Sequence, residues 1–188
     1  APSMCEPNSS GQTKLTELLE DILAQEYERG AVLQAIVAQN DSQRQEMWER
    51  REAAAEVTIT RKPIIANDIA VPLDKLGQFI NTVNTKVTEL DPGGKSIHVA
   101  HLGDGNVHFT VWPGSENPEV HSLIVEIVEE VVLKLGGSFS AEHGIGVAKL
   151  NSMRRRKDRV AIKVMRQIKN GLDPKNILNP NKVIPTIV

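Results

Sequence analysis

The stretch Ile97-His98-Val99-Ala100-His101-Leu102-Gly103-Asp104-Gly105-Asn106-Val107-His108 leaves the backbone few choices. Apolar residues alternate into and out of Gly103-Asp104-Gly105-Asn106, whose residue types tolerate the positive φ of a tight turn. The pattern predicts two antiparallel strands between Ser96 and Trp112, folded back on each other. His101 and His108 flank the turn, so the pairing brings both imidazoles to one rim, while His98 alternates to the other face. Such a pair serves either as ordinary hairpin residues, one of them hydrogen-bonded, or as two metal ligands that need a third.

A second motif bears on that choice. Ser140-Ala141-Glu142-His143-Gly144-Ile145-Gly146 supplies a carboxylate, an imidazole and two flexible glycines. Consecutive residues of an extended chain point to opposite sides, so Glu142 and His143 share a pocket only if the backbone departs from a strand. Gly144 and Gly146 permit that departure. Glu142 then completes a His-His-carboxylate set, with His143 beside the metal as a base. The alternative is that both residues cap the following helix. His121, early in a helix, reads as a solvated surface residue.

The remaining elements follow from periodicity. Residues 3–6 form a candidate edge strand. Leu15, Leu18, Leu19, Ile22 and Leu23 mark an amphipathic helix, with Thr13 as N-cap and Gly30 as its stop. Val32 to Ala38 reads as a buried strand, and Asn40-Asp41 caps a second helix through Arg51. Residues 53–65 are hard to classify, and Pro63 disfavours a central strand there. Asp68 to Val71 is a further strand. Pro72 opens a long helix with Leu76, Phe79, Ile80, Val83 and Val87 on one face, ended by Asp91-Pro92-Gly93-Gly94. Asn117-Pro118 opens another that buries Leu123, Ile124, Ile127, Val128, Val131 and Leu135 before Gly136-Gly137. Ser138 to Ser140 reads as a short strand, and a last helical region covers Lys149 to Gly171. The expected class is α+β, a largely antiparallel sheet with helices packed on one face.

The 188 residues suit one compact domain, or two small ones, with no clear internal boundary; with only six aromatic residues the core must be mostly aliphatic. A net charge of −2 with interspersed signs argues against nucleic acid or an anionic membrane as partner, and the apolar runs are too short to span a bilayer. Cys5 is the single cysteine, which points to a reducing compartment, and no secretory signal is visible. The start at Ala1-Pro2 suggests a processed or excised piece. Arg154-Arg155-Arg156-Lys157 reads as a solvated face, or alternatively as a contact for an acidic partner.

Together, His101-Leu-Gly-Asp-Gly-Asn-Val-His108 and Glu142-His-Gly-Ile-Gly resemble the C-terminal, substrate-side domain of FAD-linked oxidases. The resemblance is to the D-lactate, D-2-hydroxyglutarate and glycolate dehydrogenase branch of the vanillyl-alcohol-oxidase superfamily. Trp48-Glu-Arg-Arg51, Asp68-Ile-Ala-Val-Pro72, Ile168-Lys-Asn-Gly-Leu-Asp-Pro174 and Ile177-Leu-Asn-Pro-Asn-Lys182 extend it over nearly the whole chain. It implies a ferredoxin-like cap domain in which His101, His108 and Glu142 hold zinc or manganese. That metal would polarise a 2-hydroxy acid while His143 takes the hydroxyl proton and FAD the hydride. Arg51 would grip the substrate carboxylate, with Thr110 a further substrate-binding position.

The chain also departs from that pattern. Dicarboxylate-specific members carry lysine where Ala66 stands and often asparagine where Thr110 stands, so a monocarboxylate substrate is expected. Asn181 occupies a usual glycine position. Nothing in the chain resembles the family's N-terminal flavin-binding domain, and no Gly-rich phosphate loop precedes a helix. That domain is therefore an expected partner, and the chain alone is expected to be inactive. An electron-transfer partner, a homodimer, and a cytoplasmic or, in a eukaryote, mitochondrial-matrix location complete the expectations. Two other classes fit the same ligands: a non-catalytic metal- or ligand-binding module, and a metal-dependent hydrolase.

Overall fold

The computed structural model describes residues 6–7, 13–101 and 103–186, so the candidate edge strand at 3–6 lies largely outside them. The chain divides into two compact units, 1–53 and 54–188. In the first, the Thr13 hydroxyl accepts the Thr16 N–H at 3.1 Å and opens α1, Lys14–Glu28, which stops before Gly30 at φ +73°. The predicted stripe is present, yet Leu15, Leu18, Leu19 and Ile22 are each about half exposed. The expected buried strand at 32–38 is absent. That segment forms neither strand nor helix, and Leu33 is 88% exposed. An apolar run favours burial, but a strand also needs a neighbour for its N–H and C=O groups, and none pairs with it among the described residues. The Asn40 side chain accepts the Gln43 N–H at 2.9 Å, and the helix there, α2, runs Asp41–Thr58. It outlasts the expected end at Arg51 because Glu52-Ala53-Ala54-Ala55-Glu56 are strong helix formers.

The second unit is built on a three-stranded antiparallel sheet, β1 (Ile65–Ala70), β2 (Lys95–His101) and β3 (Asn106–Trp112), in the order β1-β3-β2. Between β1 and β2 run a 3-10 turn, Leu73–Lys75, and α3, Leu76–Leu90; α4, Pro118–Lys134, follows β3. Ser138 then exchanges both backbone hydrogen bonds with Ala70, at 2.9 and 2.8 Å. The predicted strand at 138–140 is thus a single antiparallel bridge on the outer edge of β1. This β-α-β-β-α-bridge arrangement is the ferredoxin-like order with its fourth strand cut short.

Period-two alternation along β3 divides the sheet. Val107, Phe109 and Val111 pair with Ile69, Asn67 and Ile65. Those apolar residues are buried with Phe79, Val83 and Val87 of α3 and Ile124, Val128, Val131 and Val132 of α4. Phe79 meets Phe109 edge to face at 5.8 Å, and the rest of this core is aliphatic. Asn106, His108 and Thr110 alternate to the opposite face.

Some side chains depart from expectation. Leu123 is half exposed, at the margin of the stripe α4 buries. His121 is part-buried, its Nε2 2.6 Å from the Ser115 carbonyl at the start of α4. The region from Lys149 to Gly171 is two helices, α5 (Leu150–Arg156) and α6 (Arg159–Leu172), because the Asp158 side chain accepts the Ala161 N–H and starts the helix anew. The basic run before it is not wholly solvated: Arg155 and Arg156 both bond the buried Glu129 of α4, at 3.1 Å each. Asn181 sits at φ +60°, a conformation that asparagine tolerates and that suits the glycine expected at this position.

The hairpin turn is locked onto the end of β1. Gly105 has φ +75°, its carbonyl accepts the Val71 N–H at 3.0 Å, and a Cβ there would stand 2.0 Å from the Val71 carbonyl oxygen. Gly103 has open space around it. Gly105→Ala should therefore destabilise the protein by more than about 1 kcal/mol in urea denaturation, and Gly103→Ala by clearly less.

Candidate metal and substrate site

The face of the sheet opposite the core carries the predicted residues. Asn106 pairs with His101 across the hairpin, and His108 pairs with Val99 on one side and Asp68 on the other. His101 and His108 are therefore diagonal neighbours, with ring centroids 5.4 Å apart. Glu142 arrives from the loop after the Ser138 bridge. One of its oxygens lies 3.2 Å from His101 Nδ1, and the other lies 3.7 Å from His108 Nε2. Ligand atoms of His101, His108 and Glu142 all lie within 4.8 Å of one another.

Asp68 holds this loop in place. It is 4% exposed, and its carboxylate accepts the N–H groups of Ala141, Glu142 and His143 at 3.2, 3.1 and 2.9 Å. Lys149 Nζ adds a fourth donor at 3.2 Å. Burial alone would raise the pKa of this carboxyl, but the His143 N–H, the Lys149 ammonium and the Glu142 N–H outweigh it and hold the carboxyl below its ordinary value. Asp68 also faces His108 Nδ1 at 3.8 Å and His143 Nδ1 at 3.9 Å, and these three residues form a second compact ligand group that shares His108 with the first. The His143 ring stacks on His108 at 5.4 Å and is largely exposed.

A family model described as FAD linked oxidases, C-terminal domain, matches residues 2–183. The chain belongs to that family. It is 33% identical over 97% of its length to a mitochondrial D-2-hydroxyglutarate dehydrogenase of Arabidopsis thaliana, covering 32% of that protein. The rat mitochondrial D-2-hydroxyglutarate dehydrogenase is 33% identical over 92% of this chain and 31% of its own. A putative mitochondrial D-lactate dehydrogenase of Schizosaccharomyces pombe is 29% identical over 92% of this chain and 34% of its own. The FAD linked oxidase domain thus spans about a third of the curated relatives it matches.

Of the residues predicted from sequence, the fold brings together His101, His108, Glu142 and His143. Thr110 is buried on the same face and pairs with Ala66, next to the Asp68–His108 pair. Arg51 belongs to the first unit, where it pairs with Glu52 at 3.0 Å and its guanidinium lies 5.9 Å from the Trp48 ring. Sequence reasoning assigned no role to Asp68, Asn106 or Lys149. Asp68 reads there as a strand residue and part of a matched motif, Asn106 as a turn residue of the hairpin match, and Lys149 as the edge of a helix; in the fold the Asn106 side chain donates to Glu142.

The lowered pKa of Asp68 has a consequence for stability. A carboxylate with a depressed folded-state pKa contributes its full stabilisation above its unfolded value, near pH 4, and loses it as pH falls through the folded value. Asp68→Ala should cost on the order of 3 kcal/mol at pH 7, because the Lys149 charge loses its partner. The gap from the parent protein in chemical denaturation should narrow progressively below about pH 4.

Proposed function

We propose that this domain binds a divalent cation, zinc or manganese, through His101, His108 and Glu142, and that with a flavin-binding domain it oxidises a 2-hydroxy acid to the 2-oxo acid. The observation that carries the reading is the convergence of those three side chains from the hairpin and the following loop. The donor set fits the cation, since two imidazoles and one carboxylate leave a coordination position for substrate. Glu142 is 46% exposed, whereas the Asp68 carboxylate already accepts from three backbone N–H groups and an ammonium. Beside Glu142, the buried Oδ1 of Asn106 has no hydrogen-bond partner among the described residues, as expected of an atom that serves a ligand hydroxyl or water.

When bound, the cation supplies a Lewis acid that acidifies the 2-hydroxyl, and FAD supplies the hydride acceptor. The chain's own residues do the rest. His143 takes the hydroxyl proton, its exposed ring backed by the Asp68 carboxylate 3.9 Å away. His108 is oriented by that same carboxylate behind its Nδ1, which turns Nε2 toward Glu142. Arg51 is assigned the substrate carboxylate on its Trp-x-x-Arg match, because a planar guanidinium meets a carboxylate with two hydrogen bonds.

Several relatives are named as D-2-hydroxyglutarate dehydrogenases and one as a putative D-lactate dehydrogenase. Their names share a 2-hydroxy acid, and none names a hydrolase. In this chain Ala66 and Thr110 stand paired on the site face and bring no cation for a second carboxylate, which supports a monocarboxylate substrate. A mitochondrial-matrix location is in keeping with the relatives named as mitochondrial, and a cytoplasmic one is the alternative. An electron-transfer partner and a homodimer belong to the same reading.

Elemental analysis of the intact protein, purified without chelator, should find about one divalent ion per chain. Replacing both His101 and His108 by alanine should remove it, and unchanged metal content in that variant would defeat the assignment. On substrate, kcat/KM for D-lactate should exceed that for D-2-hydroxyglutarate at least about tenfold. The Ala66→Lys variant should narrow that ratio.

A further inference from the structure

His108 is common to two ligand groups, so one cation near it has two ways to be held. With His101 and Glu142 it leaves His143 unliganded. With Asp68 and His143 it consumes the imidazole assigned to proton transfer. Geometry alone does not choose, because each group brings its ligand atoms within 4.8 Å of one another.

Charge does choose. Lys149 stands at the N-terminal end of α5 with its side chain four-fifths buried. Its ammonium donates to Asp68 Oδ2 at 3.2 Å, to the Asp68 carbonyl at 3.3 Å and to Ser140 Oγ at 2.9 Å. A divalent cation on Asp68 would sit close to that ammonium, where part-burial weakens solvent screening. Salt-bridge partners within range of Glu142 are His101 and His108 alone among the described residues, and no lysine or arginine faces it.

We propose that Lys149 is a positioning residue that neutralises Asp68, directs the cation to His101, His108 and Glu142, and so reserves His143 for proton transfer. The proposal rests on the metal reading above and adds to it the reason that one of two overlapping groups is used. Asp68 thereby serves the loop backbone and the back of His108 while staying out of the coordination sphere.

The test is Zn²⁺ titration of the intact protein by calorimetry, with ligand substitutions made in two backgrounds. With Lys149 present, Glu142→Ala should weaken Zn²⁺ binding at least about tenfold, and His143→Ala should change it less than about threefold. With Lys149→Met, the pattern should reverse: His143→Ala becomes the damaging change and Glu142→Ala the tolerated one. Lys149→Arg, which keeps the charge, should restore the first pattern. If the methionine variant does not fold, Lys149→Gln carries the same test, since it drops the charge and keeps a donor toward Asp68 and Ser140. An equal effect of His143→Ala in both backgrounds overturns the role of Lys149 and leaves the metal reading intact. A protein that binds no Zn²⁺ with Lys149 present overturns both.

Discussion

The carboxylate of Asp68 receives three successive backbone N–H groups from a loop more than seventy residues further along the chain, and the geometry of the site depends on that convergence. Backbone donors of a loop need acceptors once they leave water. Here a single strand residue supplies them, and it does so at the point where Glu142 must meet two imidazoles. The loop has no regular secondary structure to hold it. Its Ser138 bridge fixes one end, and the Asp68 contact fixes the part that carries Glu142 and His143.

The far side of that arrangement is held by charge. Lys149 begins α5, and α5 is tied to α4 through Arg155 and Arg156 on the buried Glu129. A buried glutamate is costly unless paired, and two guanidiniums meet it. The basic run at 154–157 therefore serves as an anchor that sets where Lys149 stands relative to Asp68. The core beneath the sheet supplies the rigid support, with α3 and α4 packed on the face away from the site.

Much of this was legible because it is local and periodic. The stripes of α3 and α4 and the alternation of the hairpin announce themselves within a few residues, and parity alone put His101 and His108 on one face and His98 on the other. Asp68 could not be read that way, since its four donors come from residues 141–149 and meet it only in the folded chain. Val32 to Ala38 failed for the opposite reason. Its composition suits a strand, but pairing is supplied by a neighbour and not by the segment itself. Gly144 and Gly146, both at positive φ, allow the turn beyond His143 as their residue type predicted.

The alternation along β3 also makes the length of this hairpin a genetic constraint. A one-residue insertion or deletion between Gly103 and Asn106 that shifted β3 against its neighbours would exchange its two faces. Phe109 would then point toward His101 and Glu142 and His108 into the aliphatic core, so one event would break up the group of three side chains and bury an imidazole. Substitutions in the turn can be graded in their effect; indels there cannot. Drift in this segment should therefore proceed by exchange of residues at constant length, while the exposed segment at 32–38, with no register to keep, is free to lengthen or shorten.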